Sequence, residues 1–220
     1  MTVPDGLTSF QVTVAQAFFE LAQSDGFLLA GGAALLAQQL TTRPTQDLDF
    51  FASPGRGDIP AARDALESAA AARSWQVTRV RDTATFCRLV VRGPENLVVD
   101  LALDAAPSRP PMLTFLGPTF DREELAGRKV VALFDRAEAR DFTDVHTLSV
   151  TYPKDLLLAL AAQQDPGFDT AVFRDMLASL SRFGDRDLPI APAEVPALRS
   201  FFATWSAELT SQLTTRTSQR

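Results

Sequence analysis

The stretch FLLAGGAALLAQQLTTRPTQDLDFF, residues 27–51, carries the reading of the fold. Phe27 to Ala30 is an apolar run of strand length, Gly31-Gly32 supplies a tight turn, and Ala33 to Leu40 follows as a short helix starting directly from that turn. The polar segment TTRPTQ then breaks the helix, because Pro44 biases Arg43 toward extended geometry, and Asp47 to Phe51 resumes as a strand. Successive strand residues point to opposite faces, so Leu48 and Phe50 enter the core while Asp47 and Asp49 project together from the other side. Two carboxylates so placed repel unless something positive sits between them, and hard oxygen ligands of this kind suit Mg²⁺, which takes one or two carboxylates plus substrate phosphates. Taken in isolation, an Asp-x-Asp pair also reads as a strand end whose acids face water.

Working outward, Thr13 to Gln23 places Val14, Ala17, Phe18 and Leu21 on one helical face. After the Asp-x-Asp strand, Ile59 to Arg73 is an alanine-rich helix, and Gln76 to Arg81, Thr85 to Arg92 and Leu97 to Leu103 read as strands. GPEN, Gly93 to Asn96, is a hairpin turn between the last two. The Pro-rich stretch from Pro107 to Pro118 marks a boundary or surface crossing. Asp121 with Glu124 three residues later has the form of a capping box opening a helix through Arg136. Helices are then expected at Phe142 to Ser149, Lys154 to Ala162, Phe168 to Leu180 and Pro192 to Leu213, ahead of a polar tail, TSQLTTRTSQR, that should fray. The layout is α+β: a core with a mixed sheet over residues 1–118, then a helical domain over residues 119–220.

The chain has 220 residues, 46% of them hydrophobic, enough to bury a core. No apolar run approaches the roughly 20 residues that span a bilayer. The start, MTVPDGLTSF, lacks the basic-then-apolar layout of a signal peptide, so a cytoplasmic protein with no membrane partner is expected. Cys87, in TFCRLVV, reads as a buried small hydrophobe and not a nucleophile. The net charge of -6 repels nucleic acid overall, so any polyanionic partner must meet a local basic surface. Such a reversal of sign runs from Arg73 through Arg79, Arg81 and Arg88 to Arg92, with Asp82 the one acid among them; a solvated strand face is the alternative. Lysine occurs only as Lys129 and Lys154.

Asp100, in LVVDLALD, lies on a strand flanked by residues that favour burial, and an acid there needs a partner. If that strand pairs beside the strand of Asp47 and Asp49, three carboxylates converge, as a two-metal centre requires. Asp104 stands at the strand end and is the weaker candidate. Gly31-Gly32, between a strand and a helix, lets the backbone approach a ligand and aims helix amides at it, a natural phosphate cradle, although simple turn geometry would need the same glycines.

From Phe27 to Leu148 the chain resembles the nucleotidyltransferase-like toxins of the AbiEii and MenT family, within the DNA polymerase β-like nucleotidyltransferase superfamily. The resemblance rests on LLAGGAALL, RPTQDLDFF, LVVDLAL and the block ELAGRKVVALFDRAEARDFTDVHTL. It implies a nucleotidyltransferase-like mixed sheet flanked by helices, in which Asp47 and Asp49 bind Mg²⁺, Asp100 matches a third carboxylate and Gly31 and Gly32 hold nucleotide phosphates. Lys129 would contact the triphosphate and Asp144 would orient that lysine or the substrate. The family has a hydroxyl residue after its two glycines; here Ala33 and Ala34 follow, so Thr45 would serve as the alternative donor.

The residues themselves agree in part, since Lys129, Ala132 and Arg136 recur at helical spacing and could present two cations to an anion. Arg140, Asp141 and Asp144 read equally as a structural ion-pair cluster capping a helix, and His146 as packing or capping. The resemblance implies a growth-inhibiting toxin that transfers a nucleoside monophosphate from an NTP to the 3′ end of tRNA and blocks translation, with a cognate antitoxin as partner. Alternatives are transfer to a protein or small-molecule hydroxyl, or a catalytically silent module that binds RNA or a partner.

Overall fold

A computed structural model describes residues 5–218, so the first four residues of MTVPDGLTSF and the last two of the polar tail lie outside the described residues. At its centre Phe27–Ala30 (β1), buried at all four positions, runs antiparallel to Asp47–Ala52 (β2), with Leu29 opposite Phe50. The helix between them, Gly31–Ala37 (α2), begins on Gly31 itself and not on Ala33. The glycines are therefore its first turn, with Gly31 in the left-handed region at φ +62°. An extended Ala30 precedes it as the N-cap.

The helix Ser9–Phe19 (α1) starts four residues before the expected one, because Thr8 and Gln11 form a reciprocal capping box. Its expected end falls instead in a separate 3₁₀ turn, Ala22–Ser24. After β2 come the helix Ile59–Ala72 (α3) and the strands Gln76–Asp82 (β3), Phe86–Arg92 (β4) and Asn96–Leu103 (β5). β4 and β5 form the expected hairpin, Arg92 opposite Asn96, and β5 then lies parallel to β2 with Asp100 opposite Asp49. The expected surface crossing contains two further strands, Met112–Thr114 (β6) and Gly117–Thr119 (β7), and β7 lies parallel beside β1. Three residues are too few to display a two-residue period, so neither strand is visible in the pattern. The sheet has seven strands in the order β3-β4-β5-β2-β1-β7-β6.

Alternation divides the sheet into two faces. Leu48, Phe50, Leu89, Val91, Val99 and Leu101 are fully buried on one of them. There Phe18 of α1 stacks on Phe50 at 4.1 Å, and α3 contributes Ile59, Ala62, Leu66 and Ala70. Each fully buried Leu, Val or Phe contributes about 1.5–3 kcal/mol, so this face holds the sheet together. The opposite face carries Asp47, Asp49 and Asp100.

The helix Arg122–Asp135 (α4) is capped by Asp121, whose Oδ1 accepts from the amides of Glu123 and Glu124. Fully buried Glu124 accepts from the amides of Ser108 and Arg109, fastening the proline-rich segment. The chain divides into two compact units after Leu125, within α4. The second unit continues with Ala139–Leu148 (α5), Lys154–Gln164 (α6), Thr170–Leu177 (α7) and Val195–Ser218 (α8). Its core is aromatic: Phe142 meets Phe202 at 5.1 Å and Phe173 meets Trp205 at 5.3 Å. The polar tail, expected to fray, is helical as far as Ser218. The hydroxyls of Thr210, Ser211, Thr214 and Thr215 bond back to carbonyls four residues earlier and so keep their polar groups within the helix. No described helix is long and apolar enough to cross a membrane.

Candidate active site

Asp47 and Asp49, both half-buried, stand on the face of β2 away from the aromatic core. Gly31 of α2 backs Asp49 directly, and Gly32 backs Thr45, the residue that bonds Asp47. A β-carbon on Gly31 would collide with the Asp49 carboxylate, and one on Gly32 would lie 2.7 Å from Thr45 Oγ1. Thr45 Oγ1 in turn donates to Asp47 Oδ1 at 2.8 Å. The glycines thus have a reason in the protein itself: only a bare backbone can come this close to Asp49 and to Thr45. Thr45 supports Asp47, and Ala33 is buried at 1% exposure, a position for packing.

Asp100 is 5% exposed and directly opposite Asp49. Both its oxygens accept from Arg88 of β4, Nε at 2.8 Å and Nη2 at 2.6 Å, a bidentate pair. The hydrogen bond to Asp100 holds the Arg88 guanidinium above its ordinary pKa, and the charges of Asp100, Asp49 and Asp47 add to this. Arg88 is therefore a cation that offsets the charge of Asp100 within this group of acids. Among the described residues no group of three or more His, Cys, Asp or Glu side chains is placed to hold a metal ion. Asp47 and Asp49 still fit a hard cation that completes its shell with substrate phosphates, whereas both Asp100 oxygens are engaged by Arg88.

In the second unit, Lys129 of α4 lies 2.8 Å from Asp144 of α5, the lysine 8% exposed and the aspartate fully buried. About two turns farther on, just past the end of α4, Arg136 forms a fork with Asp141 at 2.9 and 3.0 Å. Asp141 also caps α5 through the amide of Glu138, and Arg140 binds the Glu138 carboxylate at 2.9 Å. Asp141 and Arg140 thus belong to the capping cluster, while Asp144 is the partner of Lys129. His146 meets Phe201 edge-on at 5.2 Å, and burial lowers its pKa, as befits a packing role.

The family model of the nucleotidyl transferase AbiEii toxin, a type IV toxin–antitoxin system, matches residues 15–218. The chain belongs to this AbiEii toxin family. Among solved structures, the AbiEii-family chain is similar to a candidate nucleotidyltransferase from Helicobacter pylori, with a TM-score of 0.58, 16% identity and coverage of 94% of this chain and 99% of that one. It is also similar to JHP933 from Helicobacter pylori, with a TM-score of 0.54, 17% identity and coverage of 96% and 99%. A more distant likeness is to MenT4, a nucleotidyltransferase toxin from Mycobacterium tuberculosis, at a TM-score of 0.45 and 16% identity over 81% of this chain and 67% of that one. The two Helicobacter pylori likenesses show a shared fold. No curated protein matches the chain in sequence.

Sequence reasoning passed over Arg88 as the partner of Asp100. The signal was present: a hairpin turn at GPEN sets Arg92 opposite Asn96, and counting back four residues on each side brings Arg88 opposite Asp100.

Proposed function

We propose that this AbiEii-family chain transfers a nucleoside monophosphate from an NTP to the 3′ end of tRNA and so blocks translation, in the cytoplasm and under the control of a cognate antitoxin. The observation that carries the reading is the Asp47 and Asp49 pair on the open face of β2, Asp49 backed by Gly31, whose missing side chain permits the approach, and Asp47 held by Thr45, against which Gly32 lies. The RNA hydroxyl attacks the α-phosphorus, a new P–O bond forms, the bond to the β-phosphate breaks, and pyrophosphate leaves with no covalent enzyme intermediate. Asp47, oriented by Thr45, and Asp49, in contact with Gly31, are assigned to Mg²⁺. When bound, that ion would lower the pKa of the attacking hydroxyl and offset phosphate charge. Gly31, half-buried, and Gly32, buried, are assigned to the nucleotide phosphates. Asp100 anchors Arg88, which makes it a positioning acid in place of the third metal ligand expected from sequence.

In the second unit, Lys129 is assigned to the triphosphate charge, with Asp144 fixing its ammonium group. Breaking a buried pair of this kind by removing one partner costs about 3–5 kcal/mol, so a Lys129 variant tests folding as much as chemistry. The cleaner test incubates the protein with each labelled triphosphate, total RNA and Mg²⁺. Label is expected in the tRNA fraction for the parent and absent for Asp49→Ala. Label that migrates with protein or small molecules, or that persists in Asp49→Ala, would contradict the assignment.

A further inference from the structure

The arginine run from Arg73 to Arg92 is sorted by the fold onto different surfaces. Arg79 faces α3, where it pairs with Glu67 and Asp82, and Arg73 lies at the end of α3. The register of β3 shifts between Arg79 and Arg81, which moves Arg81 to the other face, opposite Arg88. One row then crosses four strands on the open side of the sheet: Arg81 of β3, Arg88 of β4, Asp100 of β5 and Asp49 of β2. Arg92, two alternations along β4 from Arg88, shares that face and donates to Thr78 Oγ1 at 2.5 Å. Strand neighbours stand about 4.8 Å apart, so Arg81 lies ~14 Å from Asp49 along the row.

These arginines are exposed. Among the described residues, neither Arg81 nor Arg92 pairs with a carboxylate. The bidentate pair with Asp100 uses Nε and Nη2 of Arg88, which leaves Nη1 able to donate elsewhere. Beside the charged row runs an aromatic one: Phe86 of β4 and Phe51 of β2 both stand opposite Ala102 of β5. Arg81 and Arg88 lie over the Phe86 ring at 5.2 and 5.9 Å. Arginines interleaved with half-buried aromatic rings suit the phosphates and bases of an unpaired strand. An acidic protein segment would use the charges and leave the rings without a counterpart.

We propose that Arg81, Arg88 and Arg92 form a track for the phosphate backbone of a single-stranded RNA end, with Phe86 and Phe51 beside it and the terminal hydroxyl led toward Asp49. The proposal rests on the reading of the acceptor as RNA and adds where that RNA lies. It also explains how a chain of net charge -6 holds a polyanion, since the cations are concentrated on one face.

The test is fluorescence anisotropy of a labelled single-stranded RNA oligonucleotide with the full chain, in EDTA and without nucleotide. Arg81→Ala and Arg92→Ala should each weaken binding ~3-fold to 10-fold, and each should reduce the slope of log affinity against log salt by about 0.7. Arg81→Lys should restore most of the affinity, and melting curves should overlay the parent. A double variant that binds RNA with the affinity and salt slope of the parent overturns the track. So does a parent that fails to bind the oligonucleotide, or one that binds polyglutamate through the same arginines in its place. Labelled-nucleotide transfer separates the two levels. If the parent labels no RNA, the acceptor reading fails; if it labels RNA and the double variant binds and labels RNA equally well, only the arginine track fails.

Discussion

The two faces of β2, β5 and β4 are built from alternate residues of the same three strands, yet they obey different rules. Toward α1 and α3 stand Leu48, Phe50, Leu89, Val91, Val99 and Leu101, all without solvent exposure. On the open face stand Asp47, Asp49, Asp100, Arg88 and Arg92, an arrangement that would be costly without its internal pairings. The first face supplies burial and fixes the register; the second exploits that register to bring acids and arginines from distant parts of the chain into one row. A one-residue slip of β5 would exchange the faces, so hydrophobic alternation specifies the charged row as firmly as it does the core.

This division is open to attack from either side. The largest effect on stability is expected at Leu89→Ala, which should lower unfolding free energy by about 2–5 kcal/mol in a denaturant titration. A loss comparable to that of an exposed substitution would show that the helix-covered face does not carry the fold. Gly31→Ala comes next. Its left-handed φ of +62° costs a side chain about 1–2 kcal/mol, and the new methyl group would displace the Asp49 carboxylate. Nucleotide transfer should therefore fall much further than stability; an active Gly31→Ala protein would break the link between the glycine turn and the acid pair.

The smallest effect belongs to Cys87, opposite Leu101 on the covered face, whose thiol is pushed up to about 11 by burial. A group with a raised folded pKa contributes its stability in full below the unfolded value, 9.0 for a thiol here, and loses that contribution as pH rises toward 11. Cys87→Ala should flatten this part of the alkaline stability profile. The native thiol should resist an aromatic disulfide reagent at pH 8 and react once denatured.

Much of this contrast is legible in the amino-acid sequence because it depends on a two-residue period. Asp47 and Asp49 alternate with Leu48 and Phe50, and GPEN sets the β4–β5 register. The pairing of Asp100 beside Asp49 is a long-range event between parallel strands, which local pattern cannot decide. Arg81 escapes for a different reason, since the register shift after Arg79 breaks the alternation and sends two arginines of one strand to opposite faces. β6 and β7 are too short to leave a period, and the helical tail depends on hydroxyl-to-carbonyl bonds that a polar composition conceals. The sequence suggests Thr45 as a donor to a nucleotide phosphate, whereas in the structure its hydroxyl donates to Asp47, a side-chain pairing two residues apart that the sequence pattern does not announce.

The central claim is that the open face acts while the covered face folds, and Asp49 tests it most directly. Asp49→Ala should be assayed for transfer of labelled nucleotide to tRNA and for thermal unfolding in the same preparation. The account predicts that transfer falls by at least ~10³-fold, as expected for loss of a metal-binding carboxylate. It also predicts a change in stability of no more than about 1 kcal/mol. A protein that labels tRNA as well as the parent, or one that loses transfer only because it unfolds, would contradict it.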